Sequence, residues 1–600
     1  MPKRQPWHEV SRELVDCAMG RAPADLVIRN GVWVCVQSGE FVPHTDIAIK
    51  GSRIAYVGPD ASHTVGAQTK VIDANGRYLA PGLLDGHMHV ESGMVTVTEF
   101  VRAVVPHGTT GMFIDPHEMA NVLGLKGVRL MVDEAAQQPI NVWVQMPSCV
   151  PSAPGLETPG ASIGPDEVRE AMGWPGIIGL GEMMNFPGVF LSDEKMHGEM
   201  AETMKAGKVI GGHYASPDLG RPFHAYAAGG PEDDHEGTTM ADAVARVRQG
   251  MKHMLRYGSA AFDVADPVRA VTELGLDSRR FMLVTDDSHS GTLVNEGHMD
   301  RAVRHAIAQG VKPMTAIQMC TLNTAEHFRL DRDIGQIAPG RYGDVLIVSD
   351  LEQMKVDVVI SAGEVIVEGG EWRVELPRFE YPAEVKNSVK LGKTLAADDF
   401  RISNPKPRTP NSKVRVRVIG VAENQLLTRS LEFDLPVNDE AVHADVSQDV
   451  SKLALVERHH GTGGVQIGFV HGFGFKGRCA VASTVAHDSH HMIIVGTDDS
   501  MMAMAANELA ARQGGMLVVK DGAVIAAVEM PIAGLMSDER SDAVAAKAER
   551  VLAAFRACGC AMHNANIQVS FLALVVIPEL RISDLGLVDV TKFGRVPVLI

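Results

Sequence analysis

Disulfide-capable cysteine, aromatic residues, positive charge and long apolar runs are all in short supply in this sequence of 600 residues. Seven cysteines are scattered along the chain, and Cys558 with Cys560 lacks the companion pair of a structural zinc site, so a disulfide scaffold is excluded and a reducing cytoplasm is the expected setting. The longest apolar runs, such as Phe571 to Ile577, fall far short of the roughly 20 residues that span a bilayer. The opening MPKRQPWHEV is basic but has no apolar stretch behind it, so neither a signal peptide nor membrane attachment is expected. Lys and Arg total 56 against 74 Asp and Glu, and the net charge of −18 argues against any partner bound through a phosphate backbone, nucleic acid above all. A small neutral substrate is compatible with that charge.

Apolar residues at 45% and charged residues at 22% are those of an ordinary globular protein. The length predicts about three to four domains, with a barrel counting as one. Short β-rich runs between Gly-containing turns occupy residues 24–70 and return after residue 334 (GQIAPGRYGDVLIVSD, KVDVVISAGEVIVEGG). Between them strands alternate with helical stretches, the pattern of a βα barrel. Eight strands are expected: Tyr78 to Asp85, Thr109 to Asp115, Asn141 to Gln145, Gly176 to Glu182, Lys208 to His213, Pro231 to His235, Ser259 to Phe262 and Phe281 to Asp286. The predicted fold is therefore α/β. A (β/α)8 TIM-like barrel over 78–333 is flanked by a β-sandwich formed from 1–77 and 334–385; a Pro-rich linker over 386–413 then leads to a C-terminal α+β domain over 414–600.

Chemistry gathers at the predicted strand ends. In GLLDGHMHVES, strand alternation turns His87 and His89 to the same side, where both imidazoles can grip one metal. Glu182, His213, His235 and Asp286 end later strands, and the C-terminal mouth of such a barrel is its reactive face. Asp115, His117 and Glu118 follow the second strand and either hold an additional ion or orient the imidazoles by hydrogen bonding. Ser288 and His289 lie just beyond Asp286, as substrate contacts or loop caps. His487, Asp488, His490 and His491 form another cluster, placed either at a metal, in the substrate pocket or at a domain interface. The methionines, among them Met183, Met184, Met501, Met502 and Met504, are read as packing groups.

The segments PGLLDGHMHVES, DPHEMANVLG, PSCVP, GLGEMMNFPGV and LVTDD, with HGFGF, STVAHDSHH and PIAGLMS near the C-terminus, resemble the adenine deaminases of the amidohydrolase superfamily along nearly the whole chain. The resemblance implies two divalent metal ions, manganese or iron with zinc also compatible, held by His87 and His89 on one side and His213 and His235 on the other. Glu182 bridges them, and Asp286 is both ligand and proton carrier. No lysine occurs between Lys126 and Lys195, so the carboxylated lysine that bridges metals in many superfamily members has no candidate here, and Glu182 takes that place. Glu91 stands where relatives that hydrolyse acidic cyclic amides carry an arginine for the substrate carboxylate. A glutamate there repels such a substrate and is suited to accept N–H bonds from a purine, or else remains a solvated or orienting carboxylate.

The implied reaction is attack of metal-activated hydroxide on purine C6, with adenine and water as substrates and hypoxanthine and ammonia as products, by a cytoplasmic enzyme that associates as a homo-oligomer, a dimer being the expected form. Three alternatives stay open: a deaminase of another 6-substituted purine such as N6-methyladenine, since one extra methyl is weakly discriminated; a cyclic amide hydrolase built on the same centre; and an inactive metal-binding scaffold.

Overall fold

The structure, a computed structural model, describes residues 4–259, 261–403, 413–423 and 425–600. The proline-rich stretch 404–412 of the expected linker lies outside the described residues.

The central strands are short, buried and parallel. Leu83–His89, Thr109–Ile114, Asn141–Met146, Ile177–Met183 and Val209–Gly212 pair in sequence order, each joined to the next by a helical crossover. Asp233–Asp234, Lys252–Arg256 and Phe281–Val284 form a second parallel group, and Asp286–Asp287 returns to pair with Met88 and His89. That last pairing brings the eighth strand back beside the first. Every residue of the first, second and seventh strands is buried, as expected of strands covered by helices on one side and packed side chains on the other.

The seventh strand corrects the sequence expectation, for it is Lys252–Arg256 and not Ser259 to Phe262. The segment KHMLR carries three basic residues and does not read as a buried strand. It is buried nevertheless because each charge finds partners: Lys252 Nζ donates to the Arg279 carbonyl at 2.5 Å, and Arg256 is clasped by carboxylates.

Both flanking segments enter one nine-stranded, hydrogen-bonded sheet. Val345–Asp350 pairs with Tyr78–Pro81, the strand that leads directly into the barrel. Leu26, Ile28, Ile47, Ile347 and Ile360 share one core on this sheet. Nine strands from residue 413 onward, with Ile402–Ser403 at one edge, form a ten-stranded sheet that carries the helices Asp499–Ala511 and Ser541–Ala557, the α+β arrangement expected. Part of the segment expected as a linker is packed: Val389, Leu391, Leu395 and Phe400 are buried with Met502, Ala506 and Leu509. The C-terminal portion also docks on the barrel. Helix Ser541–Ala557 packs on Val97–Val104 and Ser290–Asn295, and the Ser537 N–H donates to the Met94 carbonyl at 2.8 Å.

One local element steadies the sixth strand end. Thr239 caps the helix Met240–Arg248 by accepting the Asp242 N–H, and Asp242 returns a bond to the Thr239 N–H at 2.9 Å. Thr239→Ala is expected to lower unfolding free energy by about 1 kcal/mol, read from the denaturation midpoint.

Candidate metal centre

The first strand ends with His87 and His89 turned to the barrel mouth. His89 Nδ1 lies 2.9 Å from the Asp115 carbonyl, which fixes the proton on Nδ1 and leaves Nε2 free to face Asp286 Oδ1 at 3.3 Å and Glu182 Oε1 at 3.6 Å. His87 Nε2 lies 3.9 Å from both Glu182 Oε2 and Asp286 Oδ1 and has no hydrogen-bond partner. Glu182 is centred among five imidazoles. Its Oε2 is 2.6 Å from His213 Nδ1 and 3.1 Å from His235 Nε2, while Oε1 is 3.2 Å from His117 Nε2.

The carboxylate is held there from behind. Its own N–H donates to Asp115 Oδ2 at 2.8 Å, an approach open only because residue 181 is glycine, where a Cβ would overlap that oxygen. Asp115 is therefore a brace for both Glu182 and His89, not one of the grouped donors. The His213 N–H donates to the Tyr226 hydroxyl at 2.8 Å, and that hydroxyl donates to the Met183 carbonyl at 3.0 Å, which ties the fifth strand end to the fourth. Asp286 sits at φ 59°, the left-handed region that costs most residues energy and that aspartate tolerates, and this turn directs its carboxylate inward.

Charges set the protonation of the group. Burial alone would raise the Glu182 carboxyl, but His213 and hydrogen bonds from the surrounding histidines outweigh it and hold the group well below the usual carboxylate range. For Asp286 burial is likewise overcome, by His89 and then Arg256, and its carboxyl also stays ionised. His87 is also pushed down, by burial and by His235 and His89, which for an imidazole means the neutral form with a lone pair to offer.

Two residues of this constellation escaped the sequence reading. Arg256, on the misplaced seventh strand, donates to Asp286 Oδ2 at 3.1 Å and to Asp263 Oδ2 at 2.8 Å, and also pairs with Glu236. Glu236 follows His235 and, itself half-buried, closes a group with the buried His213 and His235. An arginine inside a barrel has no periodic signature; the adjacency of Glu236 to His235 was the available signal.

The donors fit a divalent cation. Several buried atoms aimed into the cluster have no hydrogen-bond partner, among them His87 Nε2 and both carboxylate oxygens of Glu118. Ligands about 2.0–2.2 Å from a four-coordinate ion lie roughly 3.3–3.6 Å from one another, close to the separations found here. Mixed imidazole and carboxylate donors suit first-row divalent metals.

His87, His89, Glu182, His213, His235 and Asp286 are thus brought together. His117 joins them, and Glu118 Oε2 lies 3.8 Å from both His89 Nδ1 and His117 Nε2. Glu91 and His289 sit to one side, lining a second chamber with Asp287, His487, Asn566 and Phe571. One Glu91 oxygen accepts the Met119 N–H at 3.3 Å and the other is unpartnered. Burial pushes the His289 imidazole down to about 4, and its Nε2 receives the Asn566 amide at 2.7 Å. Ser288 is buried and lines neither chamber. His487 and Asp488 reach the barrel mouth from the C-terminal portion, whereas His491 turns away to the Thr158 carbonyl at 2.7 Å.

Leu426, Phe571, Leu574 and Ile577 form the apolar wall over the donors. Buried Arg581 organises that wall, donating to the carbonyls of Ile577 at 2.8 Å, Phe571 at 2.6 Å and Leu426. Arg581→Met leaves buried carbonyls without donors and is expected to cost about 1–3 kcal/mol of stability, measured by chemical denaturation.

Residues 78–366 match the amidohydrolase family and residues 425–594 match the adenine deaminase C-terminal domain. The chain is 64% identical over 598 residues to an adenine deaminase of Mesorhizobium japonicum, covering all of this chain and 98% of that protein. It is 62% identical over 596 residues to adenine deaminase 3 of Rhizobium meliloti, and 50% identical over 599 residues to an adenine deaminase of Moorella thermoacetica, each covered over its full length. With two family domains in place and relatives matched from end to end, the chain belongs to the adenine deaminase family of amidohydrolases.

Proposed function

We infer that this enzyme hydrolyses adenine to hypoxanthine and ammonia. The observation that carries the reading is the joining of a buried His/Glu/Asp donor group at a barrel mouth to full-length similarity with proteins named adenine deaminase.

A divalent metal centre accords with the family and the buried donors. In the finer reading two ions would be held by His87, His89, Glu182, His213, His235 and Asp286, around a Glu182 carboxylate whose Oε2 faces His87, His213 and His235 and whose Oε1 faces His89. Mn2+ or Fe2+ are the proposed ions, by resemblance to the family, and Zn2+ is compatible with the same donors. Bound there, such ions supply Lewis-acid charge that lowers the pKa of water from about 15.7 to about 7.

The chain's residues do the rest. Asp286, ionised and fixed by Arg256 through Oδ2, offers Oδ1 to take the proton of the attacking water. A carboxylate with a depressed pKa holds that proton weakly and passes it to the purine ring nitrogen or the departing amine. Glu91 and Asn566 each have a buried oxygen without a partner, and such acceptors suit the N–H groups of a purine base. The apolar wall around Phe571 excludes bulk water and offers a ring face for stacking.

The seven cysteines are all free and buried, which accords with the proposed cytoplasmic location. Among the described residues no helix is long and apolar enough to cross a membrane. Association as a homodimer is carried over from the habit of the superfamily.

The test is ammonia release by metal-loaded enzyme from adenine, N6-methyladenine, dihydroorotate and hydantoin. Adenine is expected to be turned over with the highest kcat/KM. Preference for N6-methyladenine or a cyclic amide would overturn the substrate assignment, and bound metal without turnover of any of the four would favour an inactive scaffold.

A further inference from the structure

A second group of donors lies where the C-terminal portion meets the barrel mouth, and the reaction just described does not use it. Asp488 is 0% exposed, and neither of its carboxylate oxygens has a hydrogen-bond partner. An ionised carboxylate buried without any bond costs several kcal/mol unless a cation answers it. Two imidazole nitrogens stand close to it. His487 Nδ1 lies 3.5 Å and His117 Nδ1 3.9 Å from Asp488 Oδ1. The second of these separations is too long for a hydrogen bond and the first is at its outer limit; 3.5 Å is that of two ligands on one four-coordinate ion, and 3.9 Å exceeds it by a few tenths of an ångström, a gap that an ion drawing the side chains together would close. His117 Nδ1 is itself buried without a partner.

The tautomer of His117 fits the same role. Its Nε2 lies 3.2 Å from Glu182 Oε1, so in the tautomer with the proton on Nε2 that proton faces the carboxylate and the lone pair on Nδ1 faces Asp488. A carboxylate behind a metal-binding imidazole fixes the ring and raises its basicity. The three donors come from the helix His117–Leu123 and from a loop some 370 residues further along the chain, and all three lie within coordinating reach of one another.

We propose that His117 Nδ1, His487 Nδ1 and Asp488 form a further divalent-cation site, next to the Glu182 group and touching it only through His117 Nε2, that fastens the C-terminal portion to the barrel mouth. Two imidazoles and one carboxylate call for a borderline first-row ion such as Mn2+, Fe2+ or Zn2+, in preference to Mg2+ or Ca2+. The site needs no assumption about the substrate. His487 and Asp488 also line the chamber of the Glu182 group, so an ion held here draws the wall of that chamber into place.

The test counts ions. Full-length protein stripped with a chelator, reloaded with Mn2+ and desalted is analysed for metal per chain beside Asp488→Asn and Glu182→Gln. Wild type is expected to carry one equivalent more than Asp488→Asn, and Glu182→Gln is expected to lose metal from the other group while keeping this equivalent. Equal counts in wild type and Asp488→Asn overturn the proposal. Because Asp488→Asn can fail to fold, wild-type crystals grown with Mn2+ supply the second measurement. An anomalous peak within about 2.5 Å of an Asp488 oxygen is the expected result, and its absence overturns the proposal whatever the variants do.

Discussion

Asp286→Asn is expected to lower kcat for adenine by about 10³-fold, within the range lost when a positioned proton carrier is removed. The geometry makes the substitution a selective one. Asp286 divides its two oxygens between tasks: Oδ2 receives Arg256 at 3.1 Å, and Oδ1 faces His89 at 3.3 Å and His87 at 3.9 Å. In the variant the guanidinium still demands an acceptor, so the amide oxygen turns to Arg256 and the NH2 group is left facing the histidines. That group neither accepts a proton nor serves as a ligand. The fold is expected to hold, because Arg256 keeps Glu236 and Asp263 as partners and no buried cation is stranded. Metal content and thermal midpoint are therefore measured beside kcat. Activity within tenfold of wild type, with metal retained, would remove Asp286 from its role as proton carrier.

The strand-end positions were readable because their signal is local. A βα barrel puts reactive groups at one end of each strand, so His87, His89, Glu182, His213, His235 and Asp286 could be picked out without knowing how the strands are tilted or closed. Where burial depends on distant partners, local reading fails. Lys252–Arg256 does not resemble a buried strand, and it becomes one only because Glu236, Asp263 and the Arg279 carbonyl lie near in space. With that strand misplaced, Arg256 was lost as well. Asp115 was legible as polar and near the site, but its role as a brace depends on the missing Cβ of Gly181, a contact between neighbouring strands. The meeting of His117 with His487 and Asp488 is of the same kind: each motif stands out in the sequence, and only the docking of the C-terminal portion joins them. Around Ser288 the neighbours Asp287 and His289 line the second chamber while its own side chain does not, a distinction that adjacency in sequence does not carry.

Glu182→Gln is expected to abolish turnover, a loss of at least about 10³-fold, by removing the charge that holds the donor group together. The carboxylate offers one oxygen to His213 and His235 and the other to His117 and His89. A carboxamide has the same shape but keeps a single acceptor, and its NH2 must face one of those two sets. A cation on that side then loses an anionic ligand and meets a donor dipole of the wrong sign. The expected result is a loss of at least one metal equivalent, and turnover that excess Mn2+ does not restore. Glu182→Asp separates charge from reach, since it keeps both oxygens but withdraws them by one methylene. It is expected to recover metal binding in part and activity only weakly. The brace by which Asp115 accepts the backbone N–H of residue 182 is unchanged in either variant, so the backbone of the strand end stays in place and differences in metal content report on the side chain alone. Full metal content together with more than a tenth of wild-type kcat in Glu182→Gln would show that the two sets of histidines do not depend on a shared carboxylate.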